Sequence, residues 1–125
     1  MDGDRTVYDM VGEQYFVDLV GRFYQRVAAD PVLAPLYPED LSEPRRNTAG
    51  FLIQYWGGPA GYSERRGHPR LRMRHAPFAI GARERQAWFD SMSASVRESD
   101  APEEVKAVMI EYFEHAAAAM VNRPG

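Results

Sequence analysis

From Gln14 to Ala29 the apolar residues come in adjacent pairs four apart: Tyr15/Phe16, Leu19/Val20, Phe23/Tyr24 and Val27/Ala28. That period places them on one side of an α-helix and turns Asp18, Arg22, Gln25 and Arg26 toward water. Asp30-Pro31 ends the helix, because proline disfavours helical geometry in the residue before it. A shorter helical turn over Val7–Val11 precedes it, broken at Gly12. Thr48, Phe51/Leu52 and Tyr55/Trp56 mark the inner face of a second helix, for which Ser42 is a suitable N-cap and Pro44 a tolerated first-turn residue. Gly57-Gly58-Pro59 terminates it. A third helix spans Ala82–Glu98 with Ala87/Trp88, Met92 and Val96 inward. Asp100 then reads as the cap of a fourth, with Glu103 as its capping-box partner. Val105, Val108/Met109, Tyr112/Phe113, Ala116 and Ala119/Met120 form the inner stripe of that helix.

Between these segments the pattern breaks. Leu33–Leu41 contains Pro35 and Pro38 and reads as an irregular corner carrying Leu36 and Tyr37. Residues 57–69, with Gly57, Gly58, Gly61, Gly67, Pro59 and Pro69, read as a long ordered loop, a feature that is usually functional in a small domain. A short helix is expected over Arg70–His75, before Pro77. No stretch shows sustained period-two alternation and no internal repeat is visible. The pattern predicts one all-α domain over residues 1–125, with four substantial helices and a loop-rich middle.

Composition narrows the function classes. The 125 residues are 45% hydrophobic and 26% charged, an ordinary globular balance. Cysteine is absent, which excludes disulfide scaffolds, thiolate metal sites and cysteine nucleophiles. A net charge of −3 argues against a nucleic-acid-coating role. No apolar run approaches the ~20 residues of a membrane span, and Met1-Asp2-Gly3-Asp4 does not open a signal peptide. A cytoplasmic location is the expectation.

Three features carry candidate chemistry. Arg65, Arg66, Arg70, Arg72 and Arg74 fall in the segment 65–75 with His68 and His75, against 15 Lys plus Arg and 3 His in the whole chain. A solvated basic face and a phosphate or carboxylate site both suit such a cluster, since arginine grips these anions with two parallel hydrogen bonds. Nucleic acid suits it less, because no stacking aromatics are interleaved. His75 sits in apolar company before Ala76-Pro77-Phe78, where a histidine is either a packed core residue or an imidazole ligand to haem iron with arginines near the propionates. The spacing of His68 and His75 does not suit a helical zinc pair. Tyr24, Tyr37 and Trp88 each bring one donor to an inward position, which either bonds to a backbone carbonyl or points into a shared cavity. No serine–histidine–acid triad, P-loop or dinucleotide fingerprint is present.

Phe23-Tyr24, Leu36-Tyr37-Pro38, Phe51-Leu52-x-Gln54-Tyr55-x-Gly57-Gly58-Pro59, Gly67-His68-Pro69-x-Leu71-Arg72-x-Arg74-His75-x-Pro77-Phe78 and Ala87-Trp88 together resemble the group II truncated haemoglobins, from about Tyr8 to Asn122. The resemblance implies a two-over-two helical sandwich around haem b (iron protoporphyrin IX), with His75 as the proximal iron ligand. It implies a distal pocket of Tyr24, Tyr37, Thr48 and Trp88. Haem contacts would come from Pro44, Phe51, Tyr62, Leu71, Met73, Arg74, Phe78 and Ile80, with Tyr62 and Arg74 toward the propionates. Pro44 falls where a conventional globin carries its distal histidine. The family usually has a small residue there, so Pro44 is a departure that removes any side-chain donor from that position. The implied function is reversible, tight O2 binding at a pentacoordinate ferrous iron, under the general heading of oxygen transport, with CO and NO as further gas ligands. A reductase and a second copy of the chain stay open as partners. Two other readings stand beside it: a haem enzyme that oxidises nitric oxide or reduces peroxide, and a haem-free helical module that binds an anionic partner through its arginines.

Overall fold

The four long helices that the pattern predicts form over Glu13–Ala29, Ser42–Tyr55, Ala82–Glu98 and Glu103–Met120. The computed structural model describes residues 5–68, 70, 75 and 78–123. Among these it adds two short helices and a 3-10 turn at Ala34–Leu36, and no strand. In chain order the α-helices are α1 (Val7–Val11), α2 (Glu13–Ala29), α3 (Ser42–Tyr55), α4 (Gly61–Arg66), α5 (Ala82–Glu98) and α6 (Glu103–Met120). Helix α2 packs against α3 and α5, and α5 packs along α6, so two helix pairs enclose the interior.

The alternation of paired apolar residues explains α2: Phe16, Leu19, Val20, Phe23, Tyr24 and Val27 are buried. They meet Met92 and Val96 of α5 and Val105, Met109 and Phe113 of α6 in one core. Removing each large apolar side chain from water contributes about 1.5–3 kcal/mol, which is what holds helices too polar to stand alone. Ala28, expected inside, is exposed where α2 runs out past the core.

Several boundaries differ from the sequence expectation. Ser42 does not cap α3; it is already the first helical residue, and its N–H donates to the Asp40 carboxylate at 3.0 Å. The carboxylate is the stronger acceptor for an orphan N–H, and the Ser42 hydroxyl and N–H together hold the Asp40 carboxyl below its ordinary value. Asp100 does not cap α6 either. That helix begins at Glu103 behind Pro102, which carries no side-chain cap but feeds the chain in with φ −57°. Glu103 and Glu104 then face the positive end of the helix dipole. On α6, Val108 and Ala119 turn outward and Ala117 is buried instead, because the contact stripe is narrower than the apolar pattern. Tyr55 is likewise 51% exposed, its ring lying on Tyr112 at 4.3 Å instead of entering the core.

The segment 57–69 is not wholly loop, since α4 forms within it. Gln54 locks α4 onto α3: its Nε2 donates to Ser63 Oγ at 2.6 Å and its Oε1 accepts the Ser63 N–H at 2.8 Å. The expected helix over Arg70–His75 lies mostly outside the described residues, although His75 itself is helical.

Gly57 lies close against Thr6. It adopts φ 103°, and a Cβ there would lie 2.5 Å from Thr6 Cγ2. The adjoining Trp56 carbonyl accepts the Tyr8 N–H at 2.9 Å, so α1 is seated on the end of α3. Gly57→Ala is expected to destabilise the protein by about 2 kcal/mol or more through strain and overlap. Gly50→Ala, where the new methyl would meet its neighbours at 3.7 Å, is expected to be close to neutral. Denaturant midpoints of the two variants check this; equal midpoints would show that the α1–α3 contact yields freely.

Candidate functional site

A cavity of about 380 Å³ opens between the helix pairs, within the usual size range of cofactor and small-molecule sites. Its lining brings together ten of the sequence-predicted site residues: Tyr24, Tyr37, Thr48, Trp88, Pro44, Phe51, Tyr62, His75, Phe78 and Ile80. The remaining three, Leu71, Met73 and Arg74, lie outside the described residues. Most of the wall is apolar, with Phe23, Leu52, Met92, Phe113 and Met120 among its other members.

Four polar side chains of the wall come together from separate elements. Tyr24 projects from the last turns of α2 and Thr48 from the second turn of α3, and their hydroxyls hydrogen-bond at 2.8 Å. Tyr37 follows the 3-10 turn, which Asp30 shapes by accepting the N–H groups of Val32 and Leu33 at 2.8 and 3.2 Å. The indole of Trp88 on α5 lies beside the Tyr37 phenol, where its N–H favours the phenol's charged form. Edge-to-face ring contacts fix the group: Tyr24–Tyr37 at 5.5 Å, Phe23–Trp88 at 5.4 Å and Trp88–Phe113 at 5.8 Å between centroids. All three aromatics line one cavity, and among the described residues the bond seen from them is that of Tyr24 to the Thr48 hydroxyl, not to a backbone carbonyl.

Proton counting shows what this arrangement offers. Two hydroxyls sharing one hydrogen bond keep one O–H over, and the Tyr37 phenol brings another. The cluster therefore has two protons to give to a molecule in the cavity.

Burial keeps those phenols neutral. It pushes Tyr37 far above the ordinary 10.0, the neighbouring Tyr24 adding to the rise and the Trp88 N–H opposing it. Burial also raises Tyr24, against the Thr48 bond, and raises Tyr15 against its bond to Ser99. Tyr112 is pushed up to about 12 by burial and by Tyr55 beside it. Folded-state values above the unfolded one mean that the unfolded chain loses protons first as pH rises. The tyrosine contribution is then fully present below pH ~10 and is lost above it. Unfolding free energy is expected to show no tyrosine-dependent change up to about pH 9.5 and to fall between pH ~10 and 12. Denaturant titrations across that range check this; a flat profile to pH 12 would contradict it.

His75 belongs to a second group on the same cavity. Its ring is partly buried and lies 6.5 Å from Phe78, and its carbonyl accepts the Phe78 N–H at 3.0 Å. Among the described residues it is the one histidine on the wall; His68 and His115 are exposed and line no part of it. Among those residues, too, no three histidine, aspartate or glutamate side chains gather as metal ligands. The cavity's largely apolar lining and single histidine among the described residues suit a largely apolar group that accepts one imidazole and brings its own remaining ligands, as haem does.

Residues that the sequence did not single out also reach the wall. Arg66 at the end of α4 lines it and pairs with Glu43 at 3.6 Å, while Asn47 and Arg85 contribute polar edges. Arg66 stood in the basic cluster, but nothing in the cluster distinguished it from its neighbours. Tyr62, expected in a loop, is on α4 and 4% exposed, its ring edge-on to Phe51 at 5.6 Å. No helix among the described residues is long and apolar enough to cross a membrane.

The chain matches the family model for bacterial-like globins over residues 6–122. It is 40% identical over 116 residues to Group 2 truncated hemoglobin YjbI of Bacillus subtilis, covering 93% of this chain and 88% of that one. Among solved structures it is similar to the hemoglobin of Chloroflexus aurantiacus, with 54% identity, a TM-score of 0.94 and coverage of 96% and 100% of the two chains. The hemoglobin of Thermobifida fusca gives 52%, 0.93, 97% and 100% in the same terms. The group II truncated hemoglobin of Bacillus anthracis gives 36%, 0.94, 99% and 96%.

Proposed function

Because the chain belongs to the bacterial-like globins, as a group II truncated haemoglobin whose cofactor is haem b, we propose that it binds O2 reversibly and tightly, with His75 holding the iron and the Tyr24/Thr48 and Tyr37/Trp88 pairs facing the gas. When bound, haem supplies a ferrous iron that takes up a diatomic gas and shifts electron density onto it. The reading is carried by one observation: Tyr24, Thr48, Tyr37, Trp88 and His75 line the same cavity.

The chain's own residues do the rest. Phe23, Leu52, Met92 and Phe113 exclude water, which strengthens each hydrogen bond in the pocket. The spare O–H of the Tyr24/Thr48 pair and the O–H of Tyr37 would serve as donors to a gas held in the cavity. A donor facing developing charge contributes about 1.5–3 kcal/mol, roughly ten- to a hundredfold in release rate. Two such donors give slow release, a property suited to storage, sensing or chemistry on the trapped ligand more than to rapid delivery. Pro44 lines the cavity and carries no side-chain donor, so it adds none to those of Tyr24, Thr48, Tyr37 and Trp88.

The test is one optical series on the purified chain: oxidised, reduced, then exposed to O2 and to CO. A five-coordinate, histidine-ligated ferrous spectrum that converts cleanly with each gas is expected. A chain that shows no haem band after reconstitution would overturn the reading and favour a haem-free role.

A further inference from the structure

We propose that Asn122 is a positioning residue for His75, an amide clamp by which the end of α6 fixes the segment that carries the proximal imidazole. This rests on the reading of His75 given above and extends it.

The chain leaves α6 at Met120 and turns back onto the segment around Ile80. There the Asn122 carboxamide is used on both sides. Its Oδ1 accepts the Ile80 N–H at 2.9 Å, while its Nδ2 donates to the Phe78 carbonyl at 2.8 Å and to the His75 carbonyl at 3.4 Å. The backbone closes the same joint: the N–H groups of Asn122 and Arg123 both donate to the Ile80 carbonyl, at 2.8 and 3.1 Å. Ile80 is 8% exposed and lines the cavity. One side chain therefore ties His75, Phe78 and Ile80, all three on the cavity wall, to the end of the longest helix.

Such a tie has a purpose that packing alone does not supply. Residues 75–80 contain Pro77, which lacks an N–H, and the segment has left regular helix by Phe78. Outside regular helix a carbonyl takes its donors from elsewhere, and Asn122 supplies one to Phe78 and one to His75. A ligating imidazole in turn depends on the partners that fix its orientation. Asparagine is the shortest side chain that carries its donor and its acceptor on separate atoms of one planar amide. Aspartate keeps the acceptor for Ile80 but turns an anion on the carbonyls of Phe78 and His75. Alanine removes both functions.

The test uses the full chain with its haem. Asn122→Asp and Asn122→Ala are compared with wild type and with Lys106→Ala, which removes another side chain–backbone tie of α6, from Lys106 Nζ to the Arg97 carbonyl at 3.0 Å. Two quantities are read: the rate of haem transfer to a scavenging apoglobin, and the iron–histidine stretching band of the reduced, gas-free protein. Haem loss is expected to rise about tenfold in Asn122→Ala and further in Asn122→Asp, with the band shifted or broadened in both. Lys106→Ala is expected to leave band and loss rate unchanged, whatever it does to thermal stability. Equal effects in the Asn122 and Lys106 variants, or a wild-type band in a folded Asn122 variant, would overturn the proposal. So would collapse of both Asn122 variants beside a folded Lys106→Ala, since the residue would then hold the fold and not the histidine. If wild type itself showed no iron–histidine band, the reading of His75 would fail first, and the two failures are thus distinguishable.

Discussion

His75→Ala is expected to lose haem affinity by ~100-fold or more, because a metal ligand outweighs the supporting partners whose removal typically costs 10–100-fold. The replacement leaves the cavity wall without a histidine among the described residues, and neither His68 nor His115 lines it. Haem content per chain after purification measures the loss. Added imidazole is expected to restore part of it, since it fills the space that the side chain vacates with the same ligand atom. Normal five-coordinate ferrous spectra in His75→Ala without imidazole would assign the iron to another residue.

The second large effect concerns ligand release and follows from the pairing of the donors. In Trp88→Phe the Tyr37 hydroxyl keeps its proton; in Tyr37→Phe the indole N–H beside it stays on the wall as a donor. Tyr24→Phe likewise leaves the Thr48 hydroxyl that had been its partner. Each single replacement preserves one donor per pair, and a change of only a few-fold in O2 release is expected. Tyr37→Phe/Trp88→Phe removes both members of a pair, and release is expected to accelerate by roughly ten- to a hundredfold, well beyond the product of the single effects. Stopped-flow displacement of O2 by CO in the four proteins of this cycle checks it. Strictly multiplicative effects would show that indole and phenol act on the ligand independently.

Much of this was legible in the chain. Periodicity placed α5 at its observed limits, Ala82–Glu98, and the inward positions of Met92 and Val96 followed from it, because both ends carry clear breakers and the apolar spacing is regular. The family motif around His75 and the separate aromatics at Tyr24, Tyr37 and Trp88 named the residues that gather at the cavity. Who bonds to whom was not legible. Tyr24 and Thr48 are twenty-four residues apart, and their hydroxyl contact depends on how α2 lies across α3. Asn122 gave no local signal, since its partners lie 42 to 47 residues upstream. The glycine-rich stretch 57–69 hid α4 because its helix is held by Gln54 and Ser63, a tertiary contact, against weak local propensity. Ser91, Ser93 and Ser95 read as polar yet are buried on α5, where Ser95 satisfies its hydroxyl on the Ser91 carbonyl at 2.8 Å. A serine that bonds to its own helix behaves as a small apolar residue, and periodicity scores it as the opposite.

The paired hydroxyls have a bearing on which gases are retained. A guest that accepts little electron density, as carbon monoxide does, gains almost nothing from an O–H turned toward it, whereas dioxygen gains with each one. The distal wall, on this reading, sorts its guests by polarisability toward charge and leaves their size undiscriminated. The ratio of the two affinities should fall toward that of an apolar pocket only when both members of a pair are silenced together.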